Sequence, residues 1–223
     1  MRVLEQVVPN IAASAAAIAA AQAPASGVAM ALVGGAPFNI TTIPDRATDG
    51  TSGNLSRRVQ LTGVGDVSAV TFAFVGLDRN GNRITENVVG PGAAATVLTS
   101  KVYAQVISIT PQQTSANTLS VGWSSESVSQ WVLVGNYKEH YSWKLRVFFP
   151  PGGTANYDVE GTSQDMMAKQ VTGDLPDDLI TLTGAPQTGN YTSDNTTPWA
   201  FVRLKVHSAG QSVTMRVLPS RTV

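Results

Sequence analysis

The stretch VTFAFVGLDRNGNRITENVV, residues 70–89, decides the fold class of this 223-residue chain. Apolar and polar residues alternate on both sides of its centre, Asp78–Asn82, which contains an Asn-Gly pair. Asn-Gly between two β-rich runs is the strongest short-range hairpin signal, because a two-residue turn needs positive φ at both central residues. The pattern therefore predicts two antiparallel strands, Ala69–Leu77 and Arg83–Val89, joined by a tight turn.

Similar short runs, separated by Gly, Pro, Asn and Asp, extend along the chain and predict further strands. These are Val28–Val33, Arg57–Leu61, Thr96–Leu98, Tyr103–Thr110, Thr118–Trp123, Gln130–Val134, Tyr141–Phe149, Ala155–Glu160, Phe201–His207 and Gln211–Leu218. Strict alternation assigns faces in three of them. It places Val202, Leu204, Val206, Val213, Met215 and Val217 inward, and Arg203, Lys205 and His207 outward. It also separates Val102, Ala104 and Val106 from Tyr103, Gln105 and Ile107.

We therefore predict an all-β protein of two β-sandwich domains, jelly-roll or immunoglobulin-like, with an N-terminal arm. The Ala-rich arm spans residues 1–27, the first sandwich 28–125 and the second 126–223. A small polar run at Ser124–Ser129 marks the boundary between the sandwiches. The longest irregular stretch is expected at about Gly161–Thr197, which is rich in Asp, Thr, Gly and Pro.

The alanine-rich part of the arm, Ile11–Ala25, allows more than one interpretation. A short helix or an extended arm leading into the strand Val28–Val33 is the favoured one. A secretory signal with cleavage near Ala21–Ala23 is the alternative, although Arg2 is offset by Glu5 and the centre is Ala rather than Leu. A membrane-spanning helix is disfavoured because Gln, Pro and Gly interrupt the run.

Charge is scarce in this sequence. Charged residues make up 13% of the chain, about half the usual roughly 25%, and 15 Lys and Arg balance 15 Asp and Glu. No charged side chain lies between Glu5 and Asp45, and Lys101 is the only one between Glu86 and Glu126. Such stretches suit buried or interfacial surface, or else a protein that uses neutral polar residues for solubility. The neutral balance argues against nucleic acid as the main partner.

Residues with catalytic potential are few. The absence of cysteine excludes a thiolate zinc site and a cysteine nucleophile. The two histidines, His140 and His207, are not at metal-ligand spacing, and no Gly-x-Ser-x-Gly element is present. We predict no enzyme activity and no catalytic residues, cofactor or metal. A Ser-His-Asp triad stays open from sequence, since it would require His140 or His207 to have an acid partner, which only coordinates show.

Acidic loops and tryptophans are the remaining candidate sites. Asp78-x-Asn80-x-Asn82 resembles the start of a calcium loop, but Arg83 stands where glycine is required, so a turn is favoured. Other oxygen ligands, more simply interpreted as a helix cap or solvated acids, are Asp174, Asp177, Asp178, Asp194 and Asn195. Possible sugar-stacking platforms, each more simply interpreted as packing, are Trp123, Trp131, Trp143 and Trp199.

The hairpin resembles a module common among tailed-bacteriophage virion proteins. In that module a Phe-x-x-x-Gly-x-Asp-x-x-Gly hairpin, here Phe72–Gly81, precedes a Thr-Glu strand and a Gly-Pro turn. The corresponding residues, with the further elements of the pattern, are Thr85-Glu86, Gly90-Pro91, Lys101-Val102-Tyr103, Val106–Ile109, Ala21–Ala25 and Arg57–Val59. The second half is similar to another phage sandwich module through Gly153–Glu160 and Pro198–Leu204.

The resemblance implies a non-enzymatic virion structural protein, expected to be a capsid-associated decoration or cement protein or a minor head protein. A head-tail neck or tail component, or a host-glycan-binding module on the virion, are the alternatives. The expected partners are copies of itself, as a homo-oligomer, and virion proteins such as the major capsid protein. Nucleic acid and membrane are not expected partners. The expected location is the virion, assembled in the host cytoplasm, with the uncharged arm before Asp45 lying across a neighbouring subunit.

Overall fold

A computed structural model describes residues 4–8, 13–40, 56–78, 82–129, 131–134, 142–166, 179–195, 199–209 and 211–220. These residues form an all-β protein, as the alternating pattern predicted. In chain order the strands are β1 Leu4–Val8, β2 Ser14–Gln22, β3 Phe38–Asn39, β4 Ser56–Gly63, β5 Thr71–Leu77, β6 Arg83–Val89, β7 Thr96–Tyr103, β8 Gln105–Pro111, β9 Leu119–Val128, β10 Val132–Leu133, β11 Ser142–Phe148, β12 Ala155–Thr162, β13 Ile180–Thr181, β14 Tyr191–Asn195, β15 Phe201–Ala209 and β16 Val213–Ser220.

The chain divides into two compact units. The first contains the described residues from 13 to 125, and the second contains residues 4–8 with the described residues from 126 onward. The predicted arm is therefore shared between the units, since β1 belongs to the second and β2 to the first. That arm was expected to precede both domains, whereas each of these strands pairs within a sheet.

The first unit contains the predicted hairpin. β5 and β6 pair antiparallel from Thr71 opposite Val89 to Leu77 opposite Arg83, which confirms the two strands. They belong to a four-stranded sheet of order β3-β8-β5-β6, while β9, β4 and β7 are neighbours in a second sheet with β2 on β9. Alternate residues of β5 point into the core, so that Phe72 and Phe74 are buried.

The predicted strand Val28–Val33 is wrong, and β2 takes its place in the sheet. Ile18 and Ala19 of β2 are fully buried in the core of the first unit. Residues 28–33 are held by individual hydrogen bonds and do not form a β-ladder. The amide side chain of Gln22 accepts from the backbone N–H of Ala31 and donates to its carbonyl, both at 2.9 Å.

The predicted strand Tyr103–Thr110 is interrupted at Ala104, where a bend separates β7 from β8. The predicted alternation therefore fails at this point. Tyr103 was placed opposite the face of Ala104 and Val106, yet all three side chains are buried. The reason is that Tyr103 pairs with Arg57 of β4, whereas Val106 pairs with Phe38 of β3.

A glutamate links β6 to β7 in the first unit. The carboxylate of Glu86 accepts from the backbone N–H groups of Ser100, at 2.6 Å, and Lys101, at 2.9 Å. The Tyr103 hydroxyl donates to the same carboxylate at 3.3 Å. Burial, and the charge and hydrogen bond of Glu86, raise the pKa of Tyr103, so its phenol stays protonated. Glu86 thus supplies acceptors that a neighbouring strand would otherwise provide.

The second unit has one sheet of order β1-β16-β11-β14. A further set of strands follows the order β13-β12-β15, with β10 also paired to β15. The inward assignments in β15 and β16 are confirmed, since all six predicted side chains are buried: Val202, Leu204, Val206, Val213, Met215 and Val217. The stretch predicted as irregular contains β13 and β14, and its residues 167–178 and 196–198 lie outside the described residues.

The position of β2 can be tested at Gly122. A Cβ atom at this residue would overlap the backbone carbonyl of Ser14, so Gly122→Ala forces β2 and β9 apart. We expect the substitution to lower the free energy of unfolding by about 1–3 kcal/mol in urea denaturation. Gly92→Ala is the control, because a Cβ there meets nothing within 4 Å and both variants lose the same glycine freedom. Equal unfolding midpoints for the two variants would contradict the position of β2.

Candidate functional site

The most concentrated set of ionisable side chains in the described residues lies on one face of β12 and β15 in the second unit. The strands pair antiparallel, with Asp158 opposite Lys205 and Glu160 opposite Arg203. Period-two alternation puts these side chains on the same face as His207. Glu126 reaches that face from β9. We call this set the charged cluster: Glu126, Asp158, Glu160, Arg203, Lys205 and His207.

Arg203 and Glu160 form the buried centre of the charged cluster. Arg203 Nε lies 2.6 Å from Glu160 Oε2, and the two side chains are only 8% and 7% exposed. Lys205 Nζ lies 3.8 Å from the other carboxylate oxygen. Arg203 lies on the outward face of β15, as predicted, but it is buried there, because the ring of Trp131 lies 4.5 Å from its guanidinium carbon and Glu160 pairs with it. The guanidinium is held by a carboxylate and an aromatic face.

His207 has the acid partners that a catalytic histidine would need, but on both ring nitrogens. Nε2 lies 2.6 Å from Asp158 Oδ2, and Nδ1 lies 3.6 Å from Glu126 Oε1. The other oxygen of Asp158 accepts from the Thr183 hydroxyl at 3.2 Å. In a Ser-His-Asp triad one ring nitrogen must face the nucleophile. Here both nitrogens lie near carboxylates, so that neither faces a nucleophile and the ring bridges β9 and β12.

The charged cluster balances three acids against three bases, so it carries little net charge when His207 is protonated. Glu126 of β9, and Asp158 and Glu160 of β12, each contact a side chain of β15. These contacts fix the register of β9 and β12 against β15. Buried ion pairs of this kind add little net stability because desolvation offsets their attraction, but breaking one is costly. The arrangement is suited to defining a single strand pairing.

The charged cluster was not predicted, although the sequence contains a pattern that indicates it. Asp158-x-Glu160 and Arg203-x-Lys205-x-His207 are runs of opposite charge at period two in two predicted strands. Opposite charges facing each other across neighbouring strands stabilise their pairing. The pairing of these two strands, separated by a long stretch of chain, was the information that the sequence did not provide.

Of the candidate calcium loop the structure describes the two ends, Asp78 and Asn82, which bind each other. Asp78 accepts from the backbone N–H of Asn82 at 2.8 Å and from its side-chain amide at 3.1 Å. Asp194 pairs instead with Lys144 at 3.2 Å. The described residues contain no group of three or more His, Asp or Glu placed to hold a metal ion. The candidates outside the described residues are Asn80, His140, Asp174, Asp177 and Asp178.

Three of the four tryptophans pack against identified neighbours. Trp143 is buried in β11, and Trp131 lies against Arg203. The ring of Trp123 is 6.1 Å from that of Phe38. Trp199 is half-buried directly before Ala200, a buried residue. This packing does not form a row of exposed aromatic rings in the described part of the chain, as a sugar-stacking platform would require.

Comparisons with protein-family models, curated proteins and solved structures found no match to this chain. Among the described residues, no helix has the length and apolar character needed to cross a bilayer.

The cost of breaking the charged cluster can be measured with Arg203→Met. The substitution removes the closer of the two cations beside Glu160 and leaves Lys205, whose Nζ is 3.8 Å away. We expect a loss of about 3 kcal/mol in the free energy of unfolding. Arg203→Met combined with Glu160→Leu should recover most of that loss, because no unpaired buried charge remains. Lys144→Met breaks an exposed pair and should cost less than about 1 kcal/mol.

Adding the single variant Glu160→Leu completes a double-mutant cycle, and urea denaturation of its members then gives the coupling energy of Arg203 and Glu160. A loss in Arg203→Met no larger than in Lys144→Met would contradict the buried role of the pair.

The burial of Tyr157, which belongs to β12, leads us to expect that the free energy of unfolding falls in alkali. Its hydroxyl donates to the Gly189 carbonyl at 2.6 Å, and burial, with a smaller effect of Tyr191, raises its pKa from 10.0 to about 12. Between these values the unfolded chain releases the phenolic proton while the folded chain keeps it. Stability should therefore fall as pH rises from 10 to about 12.

Tyr157→Phe tests this linkage, because it keeps the ring and removes the titrating group. Urea midpoints should be lower than those of the parent chain at neutral pH, from loss of the hydrogen bond, but should fall less steeply in alkali. Parallel curves for the two proteins would exclude Tyr157 as a source of the alkaline loss.

Proposed function

We propose that this chain is a non-enzymatic structural protein of a tailed-bacteriophage virion, and specifically a decoration or cement protein on the capsid. Its proposed partners are copies of itself and the major capsid protein. The resemblance of the hairpin and of the second half to phage modules suggests this class. The observation that carries the proposal is the uncharged surface of the first unit.

That surface is the segment of residues 13–40, which contains no ionisable side chain. Ile18 and Ala19 fix it to the core, while Val28 and Val33 are exposed. The exposed alanines of the same segment are Ala13, Ala15, Ala16, Ala20, Ala21, Ala23, Ala25, Ala29, Ala31 and Ala36. A surface of this kind loses little on leaving water, because no charge has to be desolvated.

A weakly polar contact can hold a particle together when symmetry repeats it many times. Apolar burial contributes about 25 cal/mol per Å², and symmetric particles form the same contact many times. The segment is also ordered before binding, since the backbone N–H of Val33 donates to Ile18 and that of Met30 to Ile109, both at 2.9 Å. Little conformational entropy is therefore lost when a partner covers it.

The geometry of the charged cluster supports the non-enzymatic part of the proposal. Both nitrogens of His207 are directed at carboxylates, and the centre of the cluster is nearly closed to solvent. A general base needs a nitrogen within hydrogen-bond reach of the proton that it removes. We assign the cluster to holding strands in register within the particle.

The proposal is tested on particles of the virus that encodes the chain. Mass spectrometry of gradient-purified particles should find this protein in many copies per capsid, and electron cryo-microscopy should locate it on the head. The proposal would be refuted if the protein were found in the host cell but not in purified particles.

Val33→Asp tests whether residues 13–40 form the contact surface. A carboxylate there would be buried without a partner, which should reduce incorporation into particles at least about tenfold, equivalent to about 1.4 kcal/mol. Val33→Thr has nearly the same shape without the charge and should be incorporated at near the parental level. Removal of the whole segment would be uninformative, because Ile18 belongs to the core. Equal incorporation of both variants would exclude this part of the surface.

A further inference from the structure

Four loops form one end of the first unit. They are residues 24–28, 63–70, 89–95 and 111–118, and backbone hydrogen bonds tie them together. Gly27 N–H donates to Pro111 at 2.8 Å, and Val64 N–H donates to Thr118 at 3.0 Å. Val67 N–H donates to Pro91, also at 3.0 Å. The loops therefore form a rigid surface, which we call the apolar end.

The apolar end exposes three valines, Val28 by 60%, Val64 by 66% and Val89 by 58%. These account for half of the exposed large hydrophobic side chains among the described residues. The same loops contain six exposed alanines: Ala25, Ala69, Ala93, Ala94, Ala95 and Ala116. Contiguous exposed apolar patches mark interaction sites in soluble proteins, and these loops supply apolar side chains for one.

Asp66 is the only ionisable residue of these four loops. Its carboxylate accepts from the backbone N–H of Ser68 at 2.9 Å. This hydrogen bond lowers the pKa of Asp66 and keeps it ionised. The remaining polar groups are neutral side chains that both donate and accept hydrogen bonds: Ser68, Gln112, Gln113, Thr114, Ser115 and Asn117.

We infer that the apolar end is a homotypic interface, through which two copies of this chain join end to end about a two-fold axis. This inference rests on the proposed function. It names the partner of residues 24–28, the part of the uncharged segment that belongs to the apolar end. A two-fold interface places the same patch on both sides, so the patch must be complementary to itself. Valines and neutral side chains that both donate and accept hydrogen bonds meet this condition, whereas a patch with many charges of one sign would not.

Charge and size favour a second copy as the occupant. The chain has 15 positive and 15 negative side chains, so two copies do not repel each other at long range. A basic partner would find one carboxylate to pair with, that of Asp66, and an acidic partner would find no cation in these four loops. The four loops together contain about as many residues as one side of a standard interface, roughly 20–30.

The interface is tested with the full chain by sedimentation equilibrium. The parent chain should form a dimer, and Val64→Asp with Val89→Asp should weaken its dissociation constant at least tenfold. The control is Leu133→Asp with Ile180→Asp, which adds the same charge at exposed apolar residues of the second unit and should leave dimerisation unchanged. Circular dichroism and urea midpoints check that both variants fold.

Three results would overturn the inference: a monomeric parent chain at high concentration, a dimer that is unaffected by Val64→Asp with Val89→Asp, or equal weakening by both double variants. A monomeric parent chain whose Val64→Asp, Val89→Asp variant no longer joins particles would assign the apolar end to another virion protein. That result would leave the proposed function intact. Absence of the chain from particles would refute the proposed function whatever the dimer measurement gives.

Discussion

Backbone groups at strand edges must find hydrogen-bond partners, and in this protein side chains supply many of them. Glu86 accepts from two N–H groups of β7, and Gln22 bridges the N–H and carbonyl groups of Ala31. Gln113 accepts from the Thr71 N–H, and Ser129 accepts from that of Leu204. Irregular segments can then lie against a sheet without forming a regular ladder. The uncharged surface of the first unit depends on this arrangement.

Local patterns of the sequence predicted the elements that depend on neighbouring residues. The hairpin of β5 and β6 was predictable because its turn and both strands lie within twenty residues of sequence. The buried faces of β15 and β16 followed from alternation alone. Where the outcome depended on distant residues, prediction failed. Val28–Val33 had strand-like composition, but β2 took the place in the sheet.

The charged cluster shows the same limit for a candidate site. Alternation correctly separated Arg203 from the core face of β15, but it could not reveal that Trp131 covers the outer face. His207 was identified as a residue that would need an acid partner for catalysis, and two carboxylates are present. Their placement beside both ring nitrogens, which only coordinates provide, changes the interpretation of His207 from a general base to a side chain that links neighbouring strands.

The pairing of β1 with β16 has a consequence for the order of folding during synthesis. Leu4 lies opposite Val217, so this segment leaves the ribosome long before the strand that pairs with it. The described residues of the first unit, in contrast, lie between 13 and 125. Contacts between distant parts of a chain form slowly. In a nascent chain Leu4–Val8 therefore lacks its partner strand until translation reaches β16, and this segment is a candidate for chaperone binding during that time.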